Sequence, residues 1–194
     1  MGKAVLIIQG HPDPHGGHLC HALADAYARG ARAAGHDVAR VEVAALDFSL
    51  MRTQADFETG TMPHDLLPAR DALLAANHVV LLFPLWLGTM PALLKAFLEQ
   101  LMRPGFAFIQ AGPGFPHKLL GGRSARVIVT MGMPALIYRW YFFAHGVLGL
   151  ERNILDFVGI APVRHSLFGE VDVVTAEQRS RWLRQVEALG REAR

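Results

Sequence analysis

The chain has 194 residues, a net charge of +2 and only 19% charged residues against 52% hydrophobic ones. That length fits one domain, and the composition excludes a disordered chain. It also exceeds what an ordinary monomer surface accommodates, so something should cover part of it.

The first predicted element is a strand over Ala4–Ile8, a continuous apolar run of the kind buried on both faces of a sheet. His18 to Ala34 follows as a helix, with Leu19, Ala22, Leu23, Ala26 and Tyr27 at helical spacing and Gly35 as its stop. Val38–Val43 reads as a second strand and residues 45–62 as irregular chain. Asp65–Ala76 is a helix candidate. Val79–Phe83 is the most apolar strand, hence central, and Pro91–Leu101 is a helix with Pro91 in its first turn. The Gly- and Pro-rich stretch Pro104–Gly122 reads as loop, with a short hairpin at Phe106–Ile109. Arg126–Thr130 is a fourth strand, followed by apolar helical segments over Leu136–His145 and Leu148–Val158. Ile160–Leu167 is a fifth strand, and Thr175–Ala193 a closing amphipathic helix with Thr175 as N-cap. Strands alternating with helices predict a single α/β domain, a doubly wound five-stranded parallel sheet with helices on both faces.

The uncharged stretch Asn77–Leu94 carries Pro84, Gly88 and Pro91, so it cannot be one membrane-spanning helix. The amino-terminal apolar run is too short for a signal-peptide core. Cys20 is the single cysteine, which excludes an internal disulfide and a cysteine-based zinc site and agrees with a cytoplasmic location. No basic block marks a nucleic-acid partner.

Ligands of such sheets sit at the carboxyl ends of the strands. The loops to inspect are therefore residues 9–17, 84–90 and 131–134. The first, Gly10-His-Pro-Asp-Pro-His-Gly-Gly17, runs into a helix start, where free N–H groups and the positive dipole end favour a phosphate. A tight turn without a ligand explains the same residues about equally well. The loop lacks the glycine pattern of dinucleotide folds and the G-K-[ST] of P-loops. His11, His15, His18 and His21 cluster here, and His18 and His21 share a helix face. With Asp13 as the one nearby carboxylate, phosphate contact fits these imidazoles better than a metal. In the second loop, Pro84, Trp86 and Gly88 suit a backbone ribbon lying against a flat ring. Plain core packing is the rival reading of Trp86. After the fourth strand come Tyr138 and His145, side chains able to donate protons to a reduced oxygen, or structural polar groups if buried and satisfied.

The run from Phe83 to Glu99, Phe-Pro-Leu-Trp-Leu-Gly-Thr-Met-Pro-Ala-Leu-Leu-Lys-Ala-Phe-Leu-Glu, followed by Gly105-Phe-Ala-Phe, resembles the flavodoxin-like NAD(P)H:quinone oxidoreductases, relatives of DT-diaphorase, in their short bacterial form. Gly10-His11, Lys118–Arg123, Thr130-x-Gly132, Tyr138 and His145-Gly146 extend the resemblance over nearly the whole chain. It implies a flavodoxin-like fold and a homodimer with its active site at the subunit interface. It further implies a bound flavin whose phosphate meets His11, Gly17, His18, Leu19 and Cys20. The isoalloxazine would lie against Pro84, Leu85, Trp86, Leu87 and Gly88 and against Thr130, Met131, Gly132 and Met133. Tyr138 and His145 match the catalytic pair, and Phe106 and Phe108 the apolar wall of the substrate slot. The chain lacks the long carboxyl-terminal extension of the FAD-binding relatives, which favours FMN over FAD. The implied reaction is ping-pong hydride transfer from NAD(P)H to a quinone-like acceptor. Relatives carry hydroxyl side chains at the helix start, where this chain has His18, Leu19 and Cys20. The Tyr138-to-His145 spacing is one residue off the family pattern. The alternative reading is an ancillary subunit of a membrane potassium-efflux system. A one-electron flavodoxin carrier fits less, since the first loop is not Ser/Thr-rich and the charge is not strongly acidic.

Overall fold

The computed structural model describes residues 2–110 and 112–194. Five strands form one parallel sheet: β1 (Ala4–Gln9), β2 (Asp37–Glu42), β3 (His78–Pro84), β6 (Ser124–Thr130) and β7 (Val163–Phe168). Their order is β2-β1-β3-β6-β7, so β3 lies at the centre, as its apolar sequence predicts. Leu6, Leu81 and Val127 belong to the core on one face, with Leu73, Phe97 and Leu150 from covering helices. Ile7, Val80 and Ile128 alternate to the other face, under Leu23 and Tyr27 and against Val186. Burial on both faces removes the need for polar alternation and explains the continuous apolar runs.

Helix α1 (Leu19–Ala33) and the closing helix α8 (Ala176–Glu192) pair on one side. Thr175 accepts a hydrogen bond from the Gln178 N–H at 3.2 Å, the expected cap. On the other side lie α3 (Leu67–Ala75) and α4 (Ala92–Leu101), which Pro91 precedes as N-cap rather than entering its first turn.

The structure departs from the sequence reading in several places. The stretch read as irregular holds a short helix, α2 (Gln54–Glu58), closed by a capping box between Thr53 and Asp56. That Thr-x-x-Asp spacing was the available signal. The expected hairpin pairs β4 (Phe108–Ile109) with β5 (His117–Lys118), so its second arm lies further on. Position 111 of that loop lies outside the described residues. The segment Leu136–His145 is not one helix: α5 (Ala135–Trp140) ends before Phe143 and Ala144, both at positive φ (51° and 49°). Helix α6 (His145–Leu150) then starts, and after a wider turn over Glu151–Leu155 α7 (Asp156–Val158) closes the segment. The fifth strand begins at Val163, three residues later than expected.

Among the described residues, no helix is long and apolar enough to cross a membrane.

Candidate functional site

The order reverses direction between β1 and β3, and the loops leaving these strands part there to open a crevice. A cavity of about 420 Å³ fills it, lined by His11, Gly17, His18, Leu19, Cys20, Pro84, Leu85, Trp86, Thr130, Met131 and Gly132, with Val171, Asp172 and Arg179. The structure thus gathers most of the sequence-predicted residues from three loops around one cavity. Val171, Asp172 and Arg179 escaped the sequence reading. They follow the carboxyl end of β7, which the strand-end rule could have added to the loops inspected.

At one end of the cavity lies the start of α1. His18 is its N-cap in extended backbone, and no side chain caps the helix. The His21 N–H donates to the His18 carbonyl at 3.0 Å, so the groups this helix start offers to an anion are the N–H groups of Leu19 and Cys20. Gly17, at φ 80°, turns the chain into the helix. The His11 and His18 rings stack at 4.0 Å, and His21 lies 5.0 Å from His11. Burial, then the neighbouring His18 and His21, push the His11 imidazole down to about 4, which keeps it neutral at physiological pH. Hydrogen bonds from His18 and His15 hold the Asp13 carboxyl well below the usual carboxylate range. Burial pushes the Cys20 thiol up to about 12, so it stays protonated, and it donates to Gln9 Oε1 at 3.3 Å.

The opposite wall is backbone. The Leu85 N–H donates to the Thr130 carbonyl at 2.8 Å, tying the loop after β3 to the end of β6. Trp86 and Thr89 exchange two backbone hydrogen bonds around Leu87 and Gly88, both at positive φ (48° and 82°). This is the two-residue turn in which glycine is at ease and leucine is strained. Leu87 is fully exposed at its tip. Helix α6 packs directly on the turn: a Cβ on Gly146 would lie 2.2 Å from the Gly88 carbonyl oxygen.

Beyond Trp86 a second, mostly apolar cavity of about 810 Å³ is lined by Leu87, Met90, Pro91, His145, Gly146, Leu150 and neighbours, and Trp86 belongs to both walls. His145 therefore faces this cavity and not the first. Tyr138 lines neither. It is buried, and its hydroxyl donates to the Gly88 carbonyl while accepting from the Val147 N–H, both at 3.2 Å. Burial raises its pKa, and the hydroxyl acts as a brace between turn and helix. Leu87 lies on the second cavity, and the Gly88 carbonyl points to Tyr138. Met133 packs on the core, its carbonyl accepting from the Glu170 N–H at 3.2 Å. Phe106 also packs on the core, and Phe108 lines a separate small cavity with Phe57 and Phe157. Within one subunit the two phenylalanines therefore do not wall the His11–Trp86 cavity.

A model of the family described as flavodoxin-like fold matches residues 3–189. The chain belongs to the flavodoxin-like fold family. Its β2-β1-β3-β6-β7 sheet has the strand order expected of a flavodoxin-like protein. Among relatives, an NAD(P)H oxidoreductase of Haemophilus influenzae, described as uncharacterized, is 26% identical over 121 residues, 62% of this chain and 59% of its own. An FMN-dependent NADH:quinone oxidoreductase 2 of Listeria innocua is 35% identical over 130 residues, 61% of each chain. The match thus spans about three fifths of the length of these two relatives. The solved NAD(P)H:quinone oxidoreductase from Methanothermobacter marburgensis superimposes with a TM-score of 0.80 at 20% identity, covering 99% of this chain and 96% of that one.

Proposed function

We propose that this flavodoxin-like protein is a flavin-dependent NAD(P)H oxidoreductase that binds FMN and passes hydride to a quinone or similar small acceptor. The observation that carries the reading is the pairing of two cavities across Trp86. One is polar and ends on a helix start with imidazoles and Arg179; the other is apolar. A phosphate-bearing ligand with a flat ring needs both characters in that order. The relatives named above as NAD(P)H or FMN-dependent quinone oxidoreductases support it.

FMN, when bound, supplies the hydride-accepting and hydride-donating chemistry. The protein's part is placement. The first turn of α1, His11, His18 and Arg179 would hold the phosphate. The backbone of Pro84–Trp86 and Thr130–Gly132 would lie along the ring and present N–H groups to charge that develops on it. Tyr138 keeps the Trp86–Thr89 turn in register, and His145 stands at the wall of the apolar cavity, within reach of a small substrate's oxygen. Donor and acceptor occupy the apolar cavity in turn, which makes the kinetics ping-pong.

The subunit pairs with a second copy. Leu136, Trp140, Tyr141 and Phe143 leave 63–75% of their surface exposed along α5 and the turn after it. An apolar face of this kind is covered in a stable protein.

The absorbance spectrum of the purified protein tests the reading. A flavin band, or its appearance on adding FMN, together with NAD(P)H oxidation that depends on a quinone, is the expected result. Colourless protein that binds neither FMN nor FAD overturns it.

A further inference from the structure

The apolar cavity beside Trp86 continues into a smaller one. The two, of about 810 and 220 Å³, share Lys95, Asn153 and Ile154. Helix α4 lines the first with Pro91, Ala92 and Lys95 and the second with Lys95, Leu98, Glu99 and Met102. These positions advance turn by turn along one helix face. The facing segment does the same. Gly146, Leu150, Ile154 and Val158 follow one another at intervals of four, with residues 145, 149, 153 and 157 alongside. A stride of four exceeds the 3.6 residues of an α-helical turn, so in an unbroken helix this row would wind off the face. The wider turn over Glu151–Leu155 takes up the surplus. One groove therefore runs between α4 and the α6–α7 segment for about 15 Å, the ten residues of α4 at about 1.5 Å each. Rings close its far end: Phe108 packs edge-on to Phe157 at 5.0 Å and lies 6.4 Å from Phe57.

Taking the quinone-reductase reading of the site as the basis, we propose that this groove is a subsite for an apolar tail on the acceptor. The quinone head lies beside Trp86 and His145, and an alkyl or isoprenoid chain runs along α4 toward Phe108. The lining carries the assignment. Leu98, Met102 and Val158 are buried beneath the far part of the groove, and Ile154 and Phe157 are half-buried beside them. The polar side chains lie at its outer edge: Lys95 and Asn153 are exposed, and Lys95 is paired with Glu99 one turn on. A chain of methylenes gains burial there and strands no polar group. The distal part of the NAD(P)H donor is the rival occupant. It carries a diphosphate, and Lys95, already paired, is the only lysine or arginine among the described residues lining the groove. Nothing at the Phe108 end would compensate those charges. At the head end the groove is wide, since a Cβ on Gly149 meets nothing within 4 Å. Phe108, which does not wall the His11–Trp86 cavity, meets the tail instead.

The test measures kcat and KM for dimethoxy-methyl-benzoquinones that share one head and carry no tail, one isoprene unit or a decyl chain. The protein is supplied with FMN and saturating NAD(P)H. Each methylene fully buried is worth up to about fourfold in affinity. From the tailless to the decyl acceptor, kcat/KM should rise by about tenfold or more, carried by KM. The kcat should stay level, because the groove holds the tail equally in the ground and transition states. Glu99→Trp, on the exposed side of α4, fills the groove beyond the head and should return the decyl-to-tailless ratio to near one. A decyl analogue with a photoreactive diazirine at the chain end should label residues 98–102 or 157–158 of the unmodified protein, read by peptide mass spectrometry. Equal kcat/KM at every tail length overturns the inference and leaves the quinone reading standing. So does a tail preference that survives in Glu99→Trp, or label on Leu136 and Trp140 instead. Reduction of no quinone at all overturns that reading, and this inference with it.

Discussion

A single methyl group at Gly146 tests how the site is built. A Cβ there would lie 2.2 Å from the Gly88 carbonyl oxygen and 2.8 Å from the Thr89 Cα. Both are backbone atoms of the tight turn that carries Trp86, so no side-chain rotation relieves the contact. Reaching ordinary van der Waals separation requires α6 and the turn to part by about 1 Å or more. Overpacking of this kind costs about 1–3 kcal/mol. The same displacement stretches the bridge from the Gly88 carbonyl through Tyr138 to the Val147 N–H. In a chain of this size each kcal/mol moves Tm by about 2–4 °C, so Gly146→Ala should lower Tm by about 2–12 °C. It should also weaken FMN binding, because the Trp86 wall moves with the turn. Gly149 provides the internal control: it sits in the same helix, and a Cβ there meets nothing within 4 Å. Gly149→Ala should gain helix stability of about 0.5–1 kcal/mol and raise Tm. Differential scanning calorimetry of both variants decides the matter. Shifts of the same sign would refute the reasoning, because helix propensity alone would then account for both.

Tyr138→Phe removes the acceptor of the buried Val147 N–H and the donor to Gly88, costing about 1–3 kcal/mol of stability. It should slow flavin reduction by NAD(P)H more than it weakens FMN binding, and an unchanged single-turnover rate would sink that role. Arg179→Ala should weaken FMN by about 10–100-fold, the worth of a charged hydrogen bond, and riboflavin far less. Equal losses for the two would remove Arg179 from the phosphate end. His78 is buried with Nδ1 on the Ser124 hydroxyl, and burial first, then nearby cations, push it from 6.5 down to about 4. The unfolded chain thus takes its proton near pH 6.5 and the folded one only near pH 4. Its contribution to stability is present above 6.5 and lost as pH falls toward 4, at up to about 1.4 kcal/mol per pH unit. Urea unfolding should show this slope, reduced in His78→Leu; the remainder belongs to His11 and His21, shifted the same way. Sedimentation at micromolar concentration should find a dimer, and Trp140→Glu should shift it toward monomer. A monomeric unmodified protein contradicts the proposed pairing.

The inner strands were legible because burial on both faces demands continuous apolar runs, and Ala4–Ile8 and Val79–Phe83 are such runs. The helix starts at Pro91 and Thr175 carry local chemistry that needs no tertiary partner. The cavity lining near His11, Trp86 and Thr130 was also within reach, because strand ends and glycine-rich loops mark where a parallel sheet opens. Three things depended on the packed structure. The break after Trp140 comes from positive φ at Phe143 and Ala144, which no helical period reveals. Tyr138 and His145 lie seven residues apart, yet one is a buried brace and the other faces a cavity, because the turn separates them. Asp172 and Arg179 reach the site only because β7 lies beside β6 and α8 packs on α1. Local sequence determined the elements and the loops that carry chemistry. Which aromatic rings are buried and which line a cavity was decided by contacts between residues distant in the chain or across a turn, where periodicity carries no information.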